Sequence, residues 1–63
     1  MKYPTMAAVN IAGRLELQLW FNGLPFPGTH WRGKLTGAEL QEKIAEEKAI
    51  LERVYQRWDE EGR

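Results

Sequence analysis

The chain of 63 residues contains no cysteine and no serine. Without thiols it can form neither a disulfide nor a thiolate metal site. Nucleophilic catalysis would fall to a threonine or lysine with no evident base beside it. His30 is the single histidine, and a metal ion wants three or four ligands. A surface or packing role is the plainer reading of it, with a mixed carboxylate site as the alternative. Long apolar runs are missing as well: none approaches the roughly 20 residues that cross a bilayer. No signal-peptide pattern opens the chain. Together these absences predict a soluble cytoplasmic protein that is not an enzyme and uses no metal, cofactor or membrane.

Sixty-three residues make one domain, and a chain of that size buries only about 60% of its unfolded surface. Small scaffolds need a staple. With disulfides excluded, the candidates are aromatic packing by three Trp, two Tyr and two Phe, or oligomerisation. Formal net charge is zero, yet residues 1–34 carry +3 (Lys2, Arg14, Arg32 and Lys34 against Glu16). Residues 35–63 carry −3, from five basic and eight acidic groups. Four scattered cations fall short of the dense basic stripe that phosphate neutralisation requires.

The dominant stretch runs from Thr36 to Glu61. Thr36-Gly37-Ala38-Glu39 fits a capping box, with Leu35 and Leu40 placed for a hydrophobic staple. Good helix formers follow with no Pro and no interior Gly, and Gly62 predicts the stop. At about 100° per residue, Leu40, Ile44, Leu51, Val54, Tyr55 and Trp58 share one face. Glu47 lies within that face. It either bends outward or pairs with a lysine such as Lys34, or faces a partner and fixes register as polar core positions do in coiled coils.

Ahead of the helix, Met6 to Ala12 reads as a first strand. Leu15 to Phe21 alternates apolar and polar, the pattern of a half-buried strand. Asn22-Gly23 is a hairpin signal, so a third, irregular edge strand is predicted from Leu24, with Pro25 and Pro27 lacking ladder donors. The expected fold is α+β: an antiparallel meander of two or three short strands over 1–34, then one long amphipathic helix over 35–62.

The apolar positions Leu15, Leu17, Leu19 and Phe21, with Gly23 and Thr36, resemble in layout the arm-type DNA-binding domain of tyrosine integrases. That resemblance implies a small sheet backed by a helix, with the sheet face on DNA. Two features depart from it: Leu24-Pro25-Phe26-Pro27 carries no charge where the family is basic, and Glu16 would repel phosphate. Gly28 to Thr36 nearly spells a phosphate-binding loop, but Leu35 stands where Ser or Thr should follow Gly33-Lys34.

A helix of about 38 Å outruns a strand of about 23 Å. An overhang carrying Val54, Tyr55 and Trp58 would therefore need a cover, most simply a second copy. The expected function is a non-catalytic protein-interaction module of the small, phage-like accessory kind. It would pair with itself, as a dimer or higher, and with an unidentified protein, through Trp20, Glu47, Leu51, Val54, Tyr55 and Trp58. The alternative is a DNA-binding accessory protein using Arg14, Gln18, Trp20, Arg32 and Lys34, with Trp20 stacking on bases.

Overall fold

The computed structural model describes residues 1–61, and the elements formed there are helices. α1 spans Met6–Ile11, α2 spans Arg14–Gly23 and α3 spans Gly37–Glu61, with a single 3-10 turn at Thr29–Trp31 before α3. The expected α+β meander is not formed. Among the described residues the only bridge pairing is an isolated one between Arg32 and Leu35. Gly62, the predicted stop, lies outside the described residues.

Each strand expectation fails for an identifiable reason. Leu15 to Phe21 holds no Val, Ile or Thr, and Leu, Glu and Gln are among the better helix formers. Coiled into α2, the alternating set divides. Leu17 is fully buried and Trp20 packs beside it, while Leu15 and Leu19, one turn apart, stay exposed. Met6–Ile11 begins at Thr5, whose hydroxyl accepts from the Ala8 N–H at 3.1 Å. That is an N-cap, worth about 1 kcal/mol. Asn22-Gly23 is the last turn of α2 rather than a hairpin. The Leu24 N–H still donates to the Trp20 carbonyl at 3.0 Å, but Pro25 disfavours the α region for Leu24. Leu24 accordingly turns extended at ψ 132°. The expected third strand is an irregular connection whose turns are closed locally, as by Thr29 N–H to Phe26 O at 3.1 Å.

α3 is one unbroken helix of 25 residues. Gly37 opens it at φ +60°, a left-handed conformation that suits glycine. A capping box would instead need Gly37 already helical. About 38 Å of helix sets the long dimension of a molecule measuring 39 × 16 × 15 Å. α1 and α2 pack on its C-terminal half, around Val9, Ala12, Leu17, Ile50 and Val54. The connection from Leu24 to Thr36 lies against its N-terminal half, with Gly28 beside Ile44. The chain therefore covers its own long helix. The overhang inferred from a short sheet lapses with the sheet, and Val54 is 0% exposed.

Arginines fasten α1. Arg57 Nη2–H donates to the Ala12 carbonyl at 2.8 Å and Nε–H to the Val9 carbonyl at 3.4 Å. These satisfy carbonyls at the end of α1 and set a cation against its negative pole. Arg53 Nε–H donates to Asn10 Oδ1 at 2.8 Å. Arg57 is itself held by Glu61 at 3.0 Å and Glu60 at 3.8 Å.

Gly28 is the most closely packed of the described glycines. Its φ is +87°, and a Cβ there would fall 2.5 Å from Ile44 Cγ1. Gly28→Ala is expected to cost about 2–4 kcal/mol from strain plus overlap. A chain of this length holds roughly 3–9 kcal/mol in total. Urea unfolding followed by circular dichroism should show a large fall in midpoint; an unchanged midpoint would contradict this packing.

Candidate functional site

α3 turns Glu47 inward, and the carboxylate is buried. Oε1 accepts from the Gly28 N–H at 2.8 Å and Oε2 from the Trp31 indole N–H at 3.1 Å. The first bond holds the connection where it crosses α3, and the second fixes the ring at the end of the 3-10 turn. Lys43, one turn earlier on α3, places Nζ 4.9 Å from the Trp31 ring centroid. That ammonium is also 3.6 Å from Glu46.

The N-terminal segment closes over the same place. The Tyr3 hydroxyl donates to the Pro25 carbonyl, and His30 Nε2–H donates to the Met1 carbonyl at 2.7 Å. Burial, then the charge of Glu47, then Tyr55, push the Tyr3 phenol above its ordinary value of 10.0. Two clefts share Tyr3, Trp31 and Glu47. One, of about 350 Å³, continues along Lys43, Glu46 and Ile50. The other, of about 310 Å³, is bordered by Lys2, His30 and Lys34.

A different surface lies on the outer side of α2. Leu15 is 78% exposed, Leu19 62% and Ile11, at the end of α1, 86%. Leu15 and Leu19 line a shallow concavity with Met1, Gln18, Asn22 and Gly23. Met1 Cε lies over Gly23 closely enough that a Cβ there would be 3.2 Å away.

The expected partner-binding set is divided by the fold. Val54 is enclosed, Glu47 is hydrogen-bonded inside its own chain, and Trp20 and Trp58 pack against the core. Leu51 is half-buried. Tyr55 is exposed but meets Phe21 edge-on, with centroids 5.2 Å apart at 69°. Phe21 also lies 5.6 Å from Trp58. In the nucleic-acid set, Arg14 and Gln18 are exposed on α2 and Arg32 and Lys34 on the connection, whereas Trp20 faces inward. The sheet face that was to unite them does not exist. Among the described residues no three His, Asp or Glu side chains gather to hold a metal. No helix there is long and apolar enough to cross a membrane.

Sequence reasoning missed the Gly28–Glu47–Trp31 link and the contributions of Tyr3, Thr5 and Arg57. A carboxylate on an apolar helix face was the available signal for the first. Comparison with family models, curated proteins and solved structures finds no match to this chain.

Two measurements follow from this geometry. Glu47→Leu leaves the buried Gly28 N–H and the half-buried Trp31 indole N–H without acceptors and should cost about 2–4 kcal/mol. Urea unfolding reads the loss, and acrylamide quenching reads release of Trp31. An unaltered stability would contradict the double acceptor role. For Tyr3, a raised pKa favours the neutral phenol, so its contribution is complete below pH 10 and fades as pH climbs past it. The stability difference between native protein and Tyr3→Phe should accordingly be constant up to pH 10 and shrink as the pH rises above it.

Proposed function

We propose that this chain is a non-catalytic protein-interaction module, working in the cytoplasm, that pairs with itself through the outer face of α2. The observation that carries the reading is the pair Leu15 and Leu19, apolar, one turn apart and largely exposed. Among the described residues only five hydrophobic side chains are buried. Leaving two leucines and Met1 in water forfeits burial worth about 1.5–3 kcal/mol for each leucine. Contiguous apolar surface of this kind marks interaction sites.

Charge supports a second copy as the partner. Formal net charge is zero, so two copies approach without long-range repulsion. A two-fold pairing also needs only one self-complementary patch. The expected pairing differs from one through the C-terminal half of α3, because Val54 and Trp58 already have partners within the chain. An interface this small gives a weak, concentration-dependent dimer.

Light scattering and sedimentation over a range of concentrations test the reading. The native protein should gain mass with concentration. Leu15→Glu combined with Leu19→Glu should remain monomeric, with helical circular dichroism retained because neither side chain enters the core. A native chain that stays monomeric throughout, or a double variant that still pairs, would defeat the proposal.

A further inference from the structure

The cleft bordered by Lys2, His30 and Lys34 has a composition that the pairing face does not use. We infer that it is a binding site for a small aromatic phosphomonoester, of the chemical class of a nucleoside monophosphate. Its volume of about 310 Å³ lies at the small end of ligand pockets, which run from about 300 Å³ upward. That size admits one flat group with a charged tail.

The chemistry of the lining divides in two. Lys2 and Lys34 are exposed, so their ammonium groups are available to a phosphate. Charge-assisted contacts of that type are the stronger hydrogen bonds. Behind them stand Trp31 and Tyr3, both half-buried. Trp31 is the better platform, because Glu47 holds its indole N–H and the ring need not be ordered when a ligand arrives. Bases stack favourably on such rings in nucleic-acid complexes.

Glu47 also reaches this cleft, and a carboxylate opposes an anion. Its two oxygens are already engaged by Gly28 and Trp31, and it is buried. The phosphate therefore belongs at the lysine-bordered mouth and the flat group inward, against Trp31. His30 Nε2 is engaged with the Met1 carbonyl, so that bond ties the segment carrying Lys2 to the turn carrying Trp31. Lys43 belongs to the neighbouring cleft, where it already contacts the same ring and Glu46. The site does not depend on pairing through α2.

Titration of the full chain with adenosine 5′-monophosphate, followed by nitrogen–proton correlation spectra, tests it. Trp31→Phe identifies which of the three indole signals belongs to Trp31. That signal should move saturably while those of Trp20 and Trp58 stay still. Lys2→Ala and Lys34→Ala should each weaken binding by about fivefold or more, and Arg32→Ala, outside the lining, should leave it unchanged. Adenosine alone and inorganic phosphate alone should each bind more weakly than the monophosphate. Absence of saturation with the monophosphate would overturn the inference, as would affinity unaltered in the doubly substituted lysine variant. A strongly salt-dependent affinity for a DNA oligonucleotide, with none for the mononucleotide, would overturn it in favour of a nucleic-acid surface.

Discussion

One buried carboxylate joins the irregular part of this chain to its regular part. Glu47 accepts from a backbone N–H and an indole N–H that lie three residues apart, at Gly28 and Trp31. Beside it, the connection from Leu24 to Thr36 meets α3 through Gly28 against Ile44, Trp31 under the Lys43 ammonium and Leu24 against the core. The arrangement is economical because the donors differ in kind. One sets the path of the main chain, and the other orients a ring that borders two clefts. A buried charge is tolerable only when hydrogen-bonded, and here each oxygen has its donor.

The opposite half of the molecule solves a related problem with the opposite sign. α1 is six residues long and α2 ten, both shorter than the roughly 12–15 residues at which isolated helices become even marginal in water. α3 supplies what they lack. It offers the apolar positions Ile50 and Val54 to Val9, Ala12 and Leu17, and it offers Arg57 to the carbonyls at the end of α1. An anionic side chain thus anchors the connection and cationic ones anchor α1. Both signs come from the same helix.

The sequence is legible where local signals agree and misleading where they compete. α3 could be read from its composition and periodicity alone, since no strand pattern contests it. In Leu15 to Phe21, alternation argued for a strand while the absence of β-branched residues argued for a helix; the helix prevailed, because α3 offers a groove and no second strand exists to pair with. Asn22-Gly23 carried a turn signal that was real but ended a helix instead of closing a hairpin. The site was less legible still. Glu47 stood out as a charge on an apolar face, yet nothing local indicates that its partners are Gly28 and Trp31, which depend on how the connection folds back. Leu15 and Leu19 were expected to be covered, and only the helical turn of α2 exposes them.

The position of Arg57 has a consequence for synthesis. Translation releases Thr5, Val9, Ala12 and Leu17 well before the last turns of α3, so the N-terminal third has no template while it emerges. Neither of its helices can persist alone, and Arg53 and Arg57 must be made before α1 can be fastened. Fixing of α1 is thereby deferred until Arg57 has been made, and a nascent chain stalled before Ile50 and Val54 would leave Val9 and Leu17 without the residues that cover them.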